Sequence, residues 1–372
     1  MAASNPAVWA EQTLLRLKQK IPGAIEKAQG LDFLPYTVEN GQWKPGPMDG
    51  ICWWTNGFWP ALMWQMYDMT GEVAYLREAR RAQDMLDRAF ADFSRLHHDV
   101  GFMWRISSGF DYDLTGDQKN RERAVFAANL LAGRYNPNGF IRAWNDDKAG
   151  WAIIDCMMNL SLLYWATKQT GDPRFSLIAQ RHADTVIRHF IRPDGTSEHI
   201  VVFDPVTGEA VDKPGGQGYA AGTVWSRGQA WAIYGFAISY RHTGRQEYLR
   251  TARRVADAFL ARIGGDWLPD CDFVAPKDPV LKDDCAGAIA ACGLMEMADA
   301  LGETGEAYRS AAVSMLRALE EKHVDWSADQ PALLTHCTGS YHTADHHIAM
   351  VYGDYFFVEG VSRLLGRQNL RW

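Results

Sequence analysis

Four short segments bring acids, imidazoles, amides and indoles together at close spacing. Asp155 stands in Trp151-Ala-Ile-Ile-Asp155-Cys-Met-Met-Asn-Leu-Ser-Leu-Leu163. Wound as a helix, the segment surrounds the acid with residues 151, 152, 158 and 159, of which only Asn159 is polar. Burial there disfavours a charged carboxylate and raises its pKa, the condition for a general acid near neutral pH. The position equally suits a cap on the first helical turn. Asp99 follows His97-His98 and precedes Gly101-Phe102-Met103-Trp104. This trio fits a cap, a catalytic group or a ligand cluster, and capping is the commoner role. The residues around it offer no ligand set with regular metal spacing. His342, His346 and His347 form another cluster, in which a spacing of four would put two imidazoles on one helix face. A bland surface reading is preferred to a metal site there.

Two further segments open helices. Trp53-Trp54-Thr-Asn-Gly-Phe-Trp59 is one, and Trp225-Ser-Arg227-Gly-Gln229-Ala-Trp231 is the other. The second follows a glycine-rich approach, Gly215-Gly216-Gln217-Gly218. Indoles in such turns are most often core. Arg227 and Gln229 in the same turn need partners if buried. Aromatic platforms beside Arg and Gln suit a sugar ring carrying a carboxylate, which stacks on the indole and pairs with the guanidinium. Asp283-Asp284 reads as a helix cap, and Asp354 as a cap or a cavity-lining acid. Asn159-Leu-Ser161 matches a glycosylation sequon but lies inside an apolar helix and is discounted.

These residues need elements to hold them. Apolar residues recur at three and four over 6–28, 55–70, 73–94, 118–135, 152–170, 173–191, 226–243, 246–263, 284–302, 306–323 and 352–366. With a short helix near 104–113, about twelve helices are expected. Thr70-Gly71, Thr170-Gly171 and Thr243-Gly244 share one pattern, with an aromatic five residues after the threonine; Thr304-Gly305 is a shortened copy. In each, glycine supplies the left-handed cap between two helices. About six helical hairpins predict an all-α protein, an (α/α)6 barrel, as a single domain over 1–372. The irregular stretches 29–53, 193–224 and 264–283 are long enough to be functional loops, the middle one with a short hairpin near 201–208.

Composition narrows the field. The 372 residues carry 38 Lys+Arg and 45 Asp+Glu, a net charge of −7, which disfavours nucleic acid as a partner. The 15 tryptophans are an unusual excess. No apolar run reaches membrane-helix length; the longest spans Cys285–Met295. The amino terminus has neither a basic start nor an apolar core, and the six cysteines form no CxxC pair. A reducing, cytoplasmic location without disulfides is expected. The GxGxxG, Walker, GxSxG and HExxH templates are absent.

In order, Trp54-Thr-Asn-Gly-Phe-Trp59, His98-Asp99-x-Gly-Phe102, Ile154-Asp155-Cys156, Trp225-Ser-Arg-Gly-Gln-Ala-Trp231-x-Ile-Tyr-Gly-Phe236 and Tyr352-Gly-Asp-Tyr355 resemble the unsaturated glucuronyl hydrolases, glycoside hydrolase family 88, over nearly the whole chain. The resemblance implies an (α/α)6 barrel and release of 4,5-unsaturated uronic acid from lyase-generated oligosaccharides, disaccharides above all. It implies Asp155 as general acid/base and Asp99 as the second essential aspartate. It places His98, His199, Gln217 and Arg227 among the polar substrate-binding positions, and Trp54, Trp225, Trp231 and Tyr341 among the aromatic ones. No cofactor or metal is implied, and a monomer or weak homo-oligomer is expected. Two departures stand out: Gly216, where some members carry His, and Asn56, where some carry Asp. Ser340-Tyr341-His342-Thr-Ala-Asp345 lacks the basic residue of members that prefer sulfated sugars. A galacturonyl-rhamnose hydrolase of the same barrel, a sugar epimerase with paired His, and a glycan-binding protein are the alternatives.

Overall fold

The Thr-Gly repeat has a chemical basis in the computed structural model, which describes residues 5–367 and 372. Each threonine hydroxyl donates to the carbonyl four residues back, as Thr70 does to Met66 and Thr243 to Ser239. The same oxygen accepts the N–H two residues ahead, from Glu72 and Arg245 in these two turns. Thr115 and Thr170 repeat the arrangement. The following glycines, 71, 116, 171 and 244, have φ of 71°, 75°, 73° and 69°. Only glycine takes that conformation without a Cβ penalty, so each helix stops there and the chain reverses. Thr115-Gly116 is an instance the sequence pattern did not bring out. Thr304-Gly305 is not one. That helix ends at Leu301, where Gly302 has φ 59°, and Gly305 has φ −88°.

The principal helices among the described residues are α1 (Pro6–Ala28), α2 (Phe58–Thr70), α3 (Val73–Leu86), α4 (100–115, π-wound over Arg105–Gly109), α5 (Gln118–Ala132) and α6 (Cys156–Thr170). They continue as α7 (Pro173–His189), α8 (Ser226–Thr243), α9 (Gln246–Leu260), α10 (Asp284–Leu301), α11 (Glu306–Lys322) and α12 (Val351–Leu364). α2, α4, α6, α8, α10 and α12 form an inner ring, which closes where α12 packs on α2. The other helices lie outside. Burial tracks this division. Every residue of α8 from Ser226 to Ser239 is buried, whereas α9 buries one face through Tyr248, Ala252, Val255, Ala256 and Phe259. The result is an all-α (α/α)6 barrel.

Several expected helix ends move. Helix 55–70 starts at Phe58 after a 3-10 turn, and helix 73–94 breaks at Leu86. Residues 151–153, expected to open a helix, form strand β1 (Trp151–Ile153) instead. It pairs antiparallel with β2 (Ile200–Phe203), Ile153 opposite Ile200, and β2 pairs with β3 (Ala210–Asp212). The hairpin expected in the middle loop is therefore present. Asp354 neither caps its helix through its side chain nor lines the cavity; its carboxylate accepts the N–H groups of Leu333 and Leu334 at 3.0 and 2.8 Å. All six cysteines are free and buried.

Candidate active site

Four inner helices present their first residues to one end of the ring. Asp99 precedes the first turn of α4, Asp155 that of α6, Trp225 that of α8 and Asp283 that of α10. Neither Asp99 nor Asp155 spends its side chain as a cap. The capping readings of both therefore fail, and their carboxylates are available for other work.

Asp155 is delivered by β1. The N–H of Ile154 donates to the carbonyl of His199 on the approach to β2, at 3.0 Å, which ties the backbone ahead of the acid to that of His199. Asp155 Oδ1 is sealed from solvent and has no hydrogen-bond partner among the described residues. Burial pushes its pKa up to about 8, and the charge of Asp99 adds to this, while Arg227 opposes it. A carboxyl group that is protonated at neutral pH and undirected toward the protein is built to give a proton to something else.

Asp99 is the reverse case. Burial pushes its pKa upward, but His98, His97 and Asn159 outweigh it and hold the carboxyl below the usual range. His97 Nδ1 and His98 Nε2 each lie 3.1 Å from its oxygens. The carbonyl of Ala143 fixes the His98 ring through Nδ1 at 2.9 Å. The three groups sit close enough for an ion, ligand atoms within 4.8 Å of one another.

Asn159, the one polar neighbour of Asp155 expected from the sequence, links the two acids. Its amide donates to Asp99 Oδ1 at 3.4 Å and to the carbonyl of Asp155 at 3.3 Å, and its oxygen accepts the N–H of Phe102 at 2.8 Å. A position four residues after the acid on the same helix was the available signal. The contact needs Gly101, because a Cβ there would lie 2.6 Å from Asn159 Oδ1 and 2.7 Å from its Cα. Gly101→Ala is expected to force α4 away from α6, separate the acids and reduce kcat at least tenfold; a steady-state assay of the folded variant checks this.

The polar neighbours divide. His199 lies against Trp225 with centroids 4.1 Å apart and the rings tilted by 38°. Its Nδ1 accepts the N–H of Gln217 at 3.1 Å. Burial lowers its pKa to about 3, aided by Arg227, so the ring is neutral and Nε2 carries the hydrogen. That Nε2 is buried without a partner among the described residues, a free donor. Gln217 Nε2 donates to the carbonyl of Gly339 at 2.9 Å, and the N–H of Tyr341 donates to the carbonyl of Gln217 at 2.8 Å. This brings Tyr341 to the same wall. Arg227 is buried and already committed. It pairs with Asp283 at 2.5 Å and donates to the carbonyls of Thr338 and Gly339, each at 2.7 Å. Its guanidinium lies over the Trp225 ring at 4.8 Å. Asp283, read as a helix cap, is thus the counter-ion of Arg227. Fifty-six positions separate the pair, beyond the reach of any local pattern.

The indoles divide too. Trp54 is partly exposed and lies against Phe102 and Tyr352. Trp225 is nearly buried under His199. Trp231, expected as a stacking platform, is buried between Phe102 and Phe356 with centroids 5.1 and 5.6 Å away, a wall residue of the ring. Trp59, Trp64 and Trp165 are buried core, as their spacing predicts. Both departures have structural explanations. Asn56 donates to the carbonyls of Gly50 and Ile51, each at 2.9 Å, which an ionised Asp cannot do. A Cβ at Gly216 would fall 2.0 Å from His199 Nδ1, so glycine here leaves His199 its place. His342, His346 and His347 are not on a helix. His342 and His346 instead contact backbone carbonyls at Tyr219 and at Ser340 and Tyr341.

Residues 27–267 match Glycosyl Hydrolase Family 88. The chain is 36% identical to an unsaturated glucuronyl hydrolase of Bacillus sp. (strain GL1), over 84% of this chain and 86% of that one. It is 34% identical to an unsaturated chondroitin disaccharide hydrolase of Streptococcus pyogenes serotype M1, over 86% and 83% respectively. A crystal structure of the unsaturated glucuronyl hydrolase responsible for glycosaminoglycan degradation in Bacillus sp. GL1 superposes with a TM-score of 0.89 at 31% identity, covering 96% of this chain and 98% of that one. With its closed helical ring and its two contrasting aspartates, the chain belongs to glycoside hydrolase family 88 and is a glycosidase.

Proposed function

We propose that this protein removes a 4,5-unsaturated uronic acid from the non-reducing end of short oligosaccharides, with Asp155 as acid and then base. The observation that carries the reading is the sealed, unpartnered Oδ1 of Asp155, raised in pKa beside an ionised Asp99. The substrate's C4=C5 bond is a vinyl ether, whose ring oxygen stabilises positive charge at C5. Asp155 donates its proton to C4. Water adds at C5 and returns a proton to the Asp155 carboxylate. The hemiketal then opens to a C5 ketone, and the hemiacetal left at C1 releases the next sugar. One water is consumed and the acid is regenerated. This differs from two-carboxylate displacement at C1.

His199 Nε2–H, Gln217, Trp54 and Tyr341 are assigned to substrate. Arg227 acts through its pair with Asp283, holding the Thr338–Gly339 carbonyls that carry Gln217. The relatives' names supply the glycan class, glycosaminoglycan and chondroitin disaccharides. Ser340–Asp345 has no Lys or Arg, so unsulfated disaccharides are expected to be turned over best. The closed ring supports a single domain, and six free cysteines support a reducing compartment.

Labelled solvent tests the reaction. In H2(18)O the label is expected at the C5 ketone of the product, sampled before exchange; label at C1 would sink the mechanism. Disaccharides from pectin and from chondroitin, compared side by side, separate the galacturonyl-rhamnose reading. The pH profile has a definite sign. Because the protonated form of Asp155 starts the reaction, kcat/KM should fall about tenfold per pH unit above about 8. A rate still rising past pH 9 contradicts the assignment.

A further inference from the structure

Three inner helices that alternate around the ring, α4, α8 and α12, converge on Trp372. This residue is fully buried. Its indole lies parallel to Phe356, with centroids 5.7 Å and planes 1° apart. It meets Phe102 edge-on at 5.9 Å, and Tyr234 and Tyr355 at 6.0 and 6.1 Å. Contacts from alternate helices put the indole on the axis of the ring.

The backbone of Trp372 is fastened at the end of the ring away from the aspartates. Its oxygen accepts from Arg241 Nη2 at 2.5 Å and lies 3.4 Å from His242 Nε2. Both residues belong to the last turn of α8, whereas the first turn of that helix faces the site. The indole Nε1 donates to Glu359 Oε2 at 2.9 Å. The other oxygen of Glu359 takes the Tyr234 hydroxyl and the Arg363 guanidinium. Anchored in this way, the ring points along the axis toward the site.

Phe102 is the site residue it reaches. Phe102 stands three positions after Asp99, in the first turn of α4. Its ring lies against Trp54 and Trp231, with centroids 5.5 and 5.1 Å away. Its N–H holds Asn159 Oδ1 at 2.8 Å, and the Asn159 amide contacts both Asp99 and the carbonyl of Asp155. We infer that Trp372 is a positioning residue for the two aspartates: its indole backs Phe102 and so preserves the Asn159 contact that sets their spacing. This rests on Asp155 and Asp99 being the working pair, as proposed above.

Infrared titration of the Asp155 carboxyl, read beside steady-state kinetics, tests this. The carbonyl stretch of protonated Asp155, identified by its absence in Asp155→Asn, is expected to vanish near pH 8 in wild type. In Trp372→Ala, Phe102 loses its backing and the space left lets the wall of the site relax. Burial of Asp155 and the charge of Asp99, which together raise the pKa, both weaken. The band should vanish about one pH unit lower, and kcat for an unsaturated disaccharide should fall about tenfold with little change in KM. Trp372→Phe keeps a ring against Phe102 and Phe356 but loses the bond to Glu359. It should melt below wild type yet titrate and turn over as wild type does. A folded Trp372→Ala with wild-type titration overturns the inference, as does a Trp372→Phe impaired as strongly as Trp372→Ala. Should Trp372→Ala not fold, Trp372→Leu fills most of the space without a ring and takes its place, with the same expectations. The titration needs no substrate. A wild type that titrates as expected but leaves the double bond intact therefore rejects the proposed activity, while the band in Trp372→Ala still decides the role of Trp372.

Discussion

Asp155→Asn is expected to lower kcat by about 10²–10⁴-fold, the range for loss of a positioned general acid, while binding of an unsaturated disaccharide survives. The amide keeps the shape of the side chain but has no acidic proton to give to C4. Loss of the ultraviolet absorbance of the double bond measures turnover, and calorimetric titration measures binding. Retained turnover would remove Asp155 from its role. The same variant carries a stability signature. Asp155 has its pKa raised from an ordinary value near 4 to about 8 on folding. Between those values the unfolded chain releases a proton that the folded chain keeps. Wild type therefore loses stability as pH rises from about 4 to about 8, and Asp155→Asn does not. Above pH 8 the variant should melt several degrees higher than wild type, an activity–stability trade that a merely structural aspartate would not show.

Asp99→Asn is the second large effect, and it separates two contributions. The carboxylate raises the pKa of Asp155 by its charge, accepts from Asn159 and lies against His97 and His98. Replacing it with an amide removes the charge and leaves part of the hydrogen bonding. Turnover should fall by about 10²-fold or more. In the residual activity, the alkaline limb of the pH profile should move to lower pH, because Asp155 loses its like-charged neighbour. A loss of activity with an unmoved limb would assign Asp99 to substrate positioning alone.

The helices were legible because their ends are written locally. Threonine and glycine at 70–71, 170–171 and 243–244 carry their own hydrogen-bond pattern, so a repeat in the letters is a repeat in the backbone. The strand at Trp151–Ile153 was not legible. Its apolar residues continue those of α6, and its partner lies about fifty positions away at Ile200–Phe203. Asp155 was found because an acid among apolar residues is anomalous on its own. That it caps nothing, and that Asp99 is held ionised by its neighbours, depended on contacts made across the ring. Arg227 shows the limit most clearly. Its side chain called for a carboxylate, and the sequence suggested the substrate's; the fold had already provided Asp283.

Four inner helices begin at the end where Asp99, Asp155, Trp225 and Asp283 lie. Their peptide dipoles therefore add instead of cancelling, each first turn contributing about half a positive charge. The chain as a whole carries −7, yet these first turns bias the mouth of the ring toward anions. Such a field is short-ranged and falls off within the first turn. It favours one carboxylate at the mouth over a long polyanion, so selectivity for a terminal acidic sugar is written partly into the direction of the helices.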